Sequence, residues 1–437
     1  MADSKKIKVI LIGAGLRGKC YTDKMKDNTD AFEVVAVAEP YKERREYIRD
    51  YHGVAPDMCF ESWEPLLELP RLGDVAVIAT MDRDHVAPAV AAMNKGYNLL
   101  LEKPAGATPA ECREIQEAAE KNGVFALVCH VLRYTRFFNA LKKIIDSGEI
   151  GKVMNIRHAE GVGDVHQTHS FVRGNWRNSD ESSPMILQKS CHDMDILAWL
   201  IGKKCKKVQS FGSLSYFKEA NAPEGSPLYC IDGCPKTDCP YNAVKLYYDN
   251  KEASWFRRAS TKLIAPTDED VEKILRTTDY GKCVFKCPNN VVDHQVVNLL
   301  FEDDITVSFS MSAFNKGGRT INIMGTEGEI NATMSDPKIR VYSFITKEER
   351  IVDLDANNTD DTIVGGHGGG DDGIILALLD MLRGKENGSV CDIKESCDNH
   401  MIAFAAEESR VTGKVVDMDE YMSRFDKYYR KISKFKS

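Results

Sequence analysis

Lys8-Val9-Ile10-Leu11-Ile12 runs directly into Gly13-Ala14-Gly15-Leu16-Arg17-Gly18, an apolar strand pattern opening onto G-x-G-x-x-G. Each glycine answers a separate demand of a bound dinucleotide. The first permits the tight turn, and the second lets a pyrophosphate reach the backbone. The third lets the following helix pack against the strand with its N-terminus facing the anion. A second apolar run, Val34 to Ala38, ends at Glu39, which lies 26 residues after Gly13 and 21 after Gly18. That is close to the spacing of roughly 20 residues at which an acid binds ribose hydroxyls. Gly13, Gly15, Leu16, Arg17 and Gly18 are therefore read as the phosphate loop, and Glu39 as the ribose ligand. A carboxylate there repels a 2′-phosphate, so NAD is expected over NADP.

Outward from this unit, residues 1–130 alternate strand and helix patterns. Strand-like runs occupy 8–12, 33–38, 74–79, 98–101 and 124–129, and an amphipathic stretch from Ala110 to Lys121 follows the helix start Thr108-Pro109. Alternation of this kind predicts an α/β fold: a doubly wound parallel sheet, here a Rossmann dinucleotide-binding domain. A helix over about 137–147 leads out through Gly148-Glu149-Ile150-Gly151. Beyond it, strand patterns at 153–159, 208–213, 296–301, 306–312 and 319–323 predict a second, α+β domain over 131–437. Its sheet is expected to be open and largely antiparallel, with a Cys-containing insertion at about 220–290 and helices at about 372–384 and 394–411.

The chain of 437 residues suits two or three domains, and 43% hydrophobic against 28% charged residues excludes a disordered polymer. A net charge of -8 argues against non-specific nucleic-acid binding. Asp3-Ser4-Lys5-Lys6 passes straight into a strand, so no signal peptide is expected. No apolar run approaches the roughly 20 residues that span a bilayer. A soluble, cytoplasmic protein without membrane partners is expected. Thirteen cysteines, an odd number in so large a chain, are expected mostly as thiols. Five of them, Cys230, Cys234, Cys239, Cys283 and Cys287, have spacing near that of zinc ligands but lack a paired C-x-x-C. A structural Zn²⁺, an iron–sulfur site and ordinary thiols all remain open readings.

Candidate chemistry sits at strand ends. The third run ends at Ala79-Thr80 with His85 five residues on, and the fourth runs into Glu102-Lys103-Pro104. Open α/β sheets bind ligands at these carboxyl ends, so Thr80, His85, Glu102 and Lys103 are placed beside a nicotinamide. Lys103 can aim its ammonium at a substrate oxygen, or be a surface lysine at a loop start. Downstream, Gln188, His192, Asp195 and Trp199 fall on one face if 188–200 is a single helix. Asp195 can then orient His192 and raise its basicity, or the histidine can be structural. Lys189 and Asp193 also stand four apart and can form a plain surface pair.

The glycine loop, Glu102-Lys103-Pro104 and the helix with His192-x-x-Asp195 together resemble the Gfo/Idh/MocA family of NAD(P)-dependent oxidoreductases. Arg133-Tyr134, Ser147 to Val153 and Gly325 to Ile330 extend the resemblance over nearly the whole chain. It implies an N-terminal Rossmann domain and a C-terminal substrate-binding and oligomerisation domain, hence a homo-oligomer (dimer or tetramer). It also implies that Lys103 and His192 are the catalytic pair. Many members carry an aspartate four residues before the histidine, where this chain has Gln188, so Asp193 or Asp195 takes up the question of what tunes His192. The stretches Ser170 to Arg177 and Gly365 to Asp371 resemble one subgroup. Trp176 and Arg177 are read as sugar contacts or loop anchors, His367 as a hydroxyl contact or part of a connector, and Tyr134 and His169 as further substrate contacts.

The main reading is reversible oxidation of a secondary hydroxyl on a sugar, glycoside or cyclic polyol. A second is glycoside cleavage through transient oxidation and elimination, with no net NADH. A third is a dinucleotide sensor without catalysis, which needs neither Lys103 nor His192 for proton transfer.

Overall fold

The computed structural model describes residues 5–27, 29–252, 254–355, 366–385 and 387–425. The opening strand pattern forms β1 (Ile7–Ile12), and five parallel strands join it: β2 (Phe32–Ala38), β3 (Cys59–Phe60), β4 (Val75–Ile78), β5 (Asn98–Leu101) and β6 (Ala126–Val128). Their order, β3-β2-β1-β4-β5-β6, is that of a doubly wound dinucleotide-binding sheet. Val9–Ile12, Val75–Ile78 and Leu99–Leu101 are buried throughout because helices cover both faces, which is why these strands read as unbroken apolar runs. The helix Pro109–Asn122 is set by its ends. Thr108 and Glu111 form a reciprocal capping box, and Gly123 stops it at φ 61°.

The second sheet has nine strands: β7 (Val153–Gly161), β8 (Cys205–Ser213), β9 (His294–Phe301), β10 (Thr306–Ser312), β11 (Gly318–Gly325), β12 (Gly328–Thr333), β13 (Lys338–Ser343), β14 (Glu349–Asp353) and β15 (Val416–Asp417). They lie in the order β14-β13-β12-β11-β7-β10-β9-β8-β15. All neighbours are antiparallel except β7 and β10. Residues of β9 and β10 alternate between buried and exposed, so one face is covered and the other open. Strands β8 and β9 pair antiparallel, a link that needs only a short turn, yet residues 214–293 intervene. The insertion therefore projects from the sheet instead of extending it.

Two late helices return to the first domain. Gly370–Leu382 packs on the helix Leu16–Asp27 through Arg17–Asp371 and Lys24–Asp372 ion pairs, and it buries Ile374, Ile375 and Leu378 with Val9 and Leu11. The part of the chain after residue 130 thus also helps to cover the first sheet. Ile393–Thr412 is wedged between the two sheets. Arg113 of the first domain pairs with Asp398, and the amide of Ser210 on β8 donates to Ser409 Oγ. No helix among the described residues is long and apolar enough to cross a membrane.

Candidate active site

The glycine loop meets the steric demands that its sequence implies. A Cβ on Gly13, at φ 91°, would stand 2.6 Å from the Ala79 carbonyl, and one on Gly18 would stand 2.0 Å from that of Gly13. Gly15 has open space, its nearest neighbour being Arg44 Nη1 at 3.7 Å from the same position. The loop thus leaves a cradle over the start of the helix Leu16–Asp27, whose first N–H groups and dipole favour an anion. Glu39, at the end of β2, is buried. Its carboxylate accepts from Ala14 N at 2.6 Å and Tyr41 N at 3.0 Å, which fixes it at the rim of this cradle. The cradle and the acid fit a dinucleotide. Arg17, expected at the phosphates, instead gives its guanidinium to Glu102 at 2.8 Å and Asp371 at 2.7 Å. Anion binding in the loop therefore falls to the main chain.

At the ends of β4 and β5, His85 is almost wholly buried between the carbonyls of Pro104 (2.7 Å) and Thr80 (3.1 Å). It staples the two strand ends together, a positioning part and not a wall of the pocket as expected. Thr80 Oγ1 donates to the Asp84 carbonyl. Burial pushes the Glu102 carboxyl up, but Arg17 and Lys103 overcome this and hold it below the usual range. Its second oxygen accepts from Lys103 N at 2.9 Å. Lys103 follows on a half-buried turn, and its Nζ donates to the main-chain carbonyl of Gln188 at 2.8 Å.

Residues 188–200 are not one helix. Met185–Gln188 ends, Lys189 and Ser190 turn, and Cys191–Ile201 begins. His192 is buried to 8% exposure in the first turn of that second helix, with its ring edge-on to His130 at a centroid distance of 6.1 Å. Lys103 also acts electrostatically on Cys191 and His130, the chain neighbour and the ring neighbour of His192. Asp195 is committed to the interior. Arg133 grips it with Nε at 2.7 Å and Nη2 at 2.8 Å, and Asn399 donates at 2.9 Å. Burial alone would raise the Asp195 carboxyl, yet Arg133 holds it at about 2.

Asp193 and Lys189 do not form the expected surface pair. Asp193 is fully buried, accepts from Arg319 Nε at 2.8 Å and lies 2.7 Å from His158 Nε2. Lys189 pairs with Glu160 at 3.2 Å, and Arg319 also reaches Glu160 at 2.8 Å. His158 and Glu160 of β7 and Arg319 of β11 thus form a charged floor beside the helix start. Sequence reading did not single them out. The available signal was their alternation, since 158 and 160 fall on the covered face of a strand and are polar.

The remaining candidates are mostly anchors. Tyr134 lies buried in the apolar cluster under the Rossmann sheet. His169 Nδ1 meets Tyr247 Oη at 2.9 Å inside a ring of Trp255, Phe256 and Tyr280, and burial pushes it down to about 3. Trp176 Nε1 donates to Asp82 at 3.0 Å, and Arg177 pairs with Asp279 and Glu181 at 3.1 Å each. The side chain of His367 lies outside the described residues. The structural zinc reading is not supported. Cys230, Cys234, Cys239, Cys283 and Cys287 are free thiols and form no close ligand set among the described residues. The buried Arg173 guanidinium lies 3.9 Å from Cys230 Sγ, so a cation already occupies that neighbourhood. The one close set among the described residues is His130, Asp195 and Cys391, where Arg133 supplies the positive charge.

A glycine-loop cradle and a lysine at the end of β5 in the first domain, with that lysine tied to the turn before the His192 helix of a second, open-sheet domain, define a two-domain oxidoreductase. Residues 7–130 match the Gfo/Idh/MocA oxidoreductase family, NAD-binding Rossmann fold, and residues 142–418 match its C-terminal alpha/beta domain; the chain belongs to this family. It is 26% identical over 343 residues to the putative oxidoreductase YteT of Bacillus subtilis, covering 76% of this chain and 77% of that one. It is 27% identical over 208 residues to inositol 2-dehydrogenase of Salmonella typhimurium, covering 47% of this chain and 57% of the relative. In fold it is similar to scyllo-inositol dehydrogenase of Lactobacillus casei, solved with NAD(H) and scyllo-inositol. That similarity has a TM-score of 0.64 at 16% identity and covers 95% of this chain and all of that one, 100%.

Proposed function

We propose that the protein is an NAD-dependent dehydrogenase oxidising a secondary hydroxyl of a sugar, glycoside or cyclic polyol to a ketone, and running the reverse. The observation that carries this reading is the 2.8 Å contact from Lys103 Nζ to the Gln188 carbonyl, which fastens a cation at the carboxyl end of β5 to the turn that launches the His192 helix. Names of relatives that act on inositols support a polyol as substrate.

NAD⁺, when bound, supplies the hydride acceptor. The main chain of residues 13–18 holds its pyrophosphate, and Glu39 takes the ribose hydroxyls and disfavours a 2′-phosphate. Lys103 stabilises the alkoxide that develops as the hydroxyl loses its proton, and His192 accepts that proton. Gln188 acts through its carbonyl and positions Lys103. Asp193 and Asp195, each locked by an arginine, set the helix in place. The first domain ends near residue 130, and the second assembles copies through its open sheet face, where Met154, Phe211 and Val296 are 46%, 55% and 45% exposed.

The test is incubation with NAD⁺ and a panel of inositols, sugars and glycosides, following NADH and the carbohydrate products in parallel. Ketone equal to NADH, lost in Lys103→Ala and His192→Ala, supports the dehydrogenase. Product formed equally well by both variants would remove these residues from the chemistry.

A further inference from the structure

The insertion between β8 and β9 reaches back to the first domain at a specific place. Its helix Ser254–Thr261 ends at Lys262, which adopts φ 63° and turns the chain onto the residues just after Glu39. Lys262 Nζ donates to Tyr41 Oη at 2.8 Å, and the amides of Ile264 and Ala265 donate to Glu43 Oε1 at 2.8 and 3.4 Å. Arg44 joins the two sides. Its Nε donates to the Lys262 carbonyl at 2.9 Å, while its Nη1 lies 3.7 Å from where a Cβ on Gly15 would be.

The other end of the same helix packs inside the second domain. Trp255 packs edge-on to His166 and His169 at 5.8 and 4.9 Å. From there Phe171 leads to Trp176, which donates to Asp82 just beyond β4. The insertion therefore meets the Rossmann domain just after β2, beside the ribose acid Glu39, and through Arg44 beside Gly15 of the phosphate loop, on the edge across which a dinucleotide is laid.

We propose that residues 262–265 form a roof over the adenosine half of the dinucleotide cleft and slow the release of the cofactor. This rests on the NAD reading above. Release requires the contacts to Tyr41, Glu43 and Arg44 to open together, so the roof acts on the dissociation rate.

The test measures release of NADH from the full-length protein, displaced by excess NAD⁺ and followed by its fluorescence. Glu43→Ala and Lys262→Asn alter exposed side chains and remove contacts on opposite sides of the roof. Wild type is expected to keep NAD(H) through gel filtration, and both variants to release NADH at least about tenfold faster, the gain lying in the off-rate. Wild-type release as fast as that of the variants overturns the roof. So do Ile264 and Ala265 amides whose hydrogen exchange is not slowed by NADH, a measurement that needs no variant. Failure of wild type to bind NADH at all is a distinct result, which removes the dinucleotide reading and the roof with it.

Discussion

Lys103 Nζ is held by the main-chain carbonyl of Gln188, not by its side chain, at 2.8 Å. The position where many family members carry an aspartate is therefore free to be glutamine without loosening the lysine. Gln188→Ala is expected to lower kcat by less than about tenfold, whereas Lys103→Ala lowers it by about 10²–10⁴, the usual worth of a positioned proton-transfer or charge-stabilising group. Steady-state rates of the two variants check this. A Gln188→Ala enzyme as slow as Lys103→Ala would assign the side chain a direct role.

Arg133 and Asp195 form a buried pair whose halves are unequal in cost when separated. Replacing Arg133 by Met leaves a carboxylate without its partner in the interior and is expected to cost about 3–5 kcal/mol. Urea unfolding should show a lower midpoint with an unchanged slope. Arg133→Met/Asp195→Asn should recover part of the loss, because the orphaned charge is gone.

Acid should weaken the fold in two windows. Burial pushes His130 and His169 down to about 3, well below the unfolded value of about 6.5. The unfolded chain then binds more protons than the native one between these values. Stability is full above about pH 6.5 and falls as pH drops, by about 1.4 kcal/mol per pH unit for each histidine. Asp195, held at about 2, adds its loss only below about pH 4. Asp195 faces His130 and opposes the shift, while His400, Arg133 and Lys103 reinforce it. His130→Asn should remove about one proton's share of the slope in unfolding free energy between pH 6 and 4.

Glu39 braces the glycine turn through Ala14 N and repels a 2′-phosphate from the same position. Glu39→Ser is expected to weaken NAD⁺ and to narrow the NAD⁺ to NADP⁺ affinity ratio by about tenfold or more, roughly the effect of one unfavourable charge contact. Titration with both dinucleotides reads this directly. An unchanged ratio would show that another residue sets the preference.

The parallel sheet was legible because its central strands are buried on both faces and read as continuous apolar runs between glycine and capping signals. β3, with two residues, is too short to carry a period. β12 to β14 escaped because each is brief and turn-bounded, and β14 is largely polar. The 188–200 segment misled through its own regularity. Gln188, His192 and Asp195 keep helical spacing, but the turn at Lys189-Ser190 breaks the helix, and an ion pair from half-buried Lys189 to buried Glu160 holds that turn. The surroundings of Tyr134, His169 and the cysteines were not legible in sequence for one reason. A polar group shows its chemistry in sequence, but whether the fold turns it to a pocket or encloses it depends on partners such as Tyr247, Arg173 and Ile374, far away in the chain.

The most direct test of the central claim follows a hydrogen instead of a product. Inositols and sugars deuterated at their carbinol carbons, mixed with protein and NAD⁺, should yield nicotinamide carrying deuterium within a single turnover, and Lys103→Ala should abolish the transfer. Label would appear whether the net reaction is oxidation or elimination. Product formed from a deuterated substrate with no label reaching the nicotinamide would contradict hydride transfer at this site.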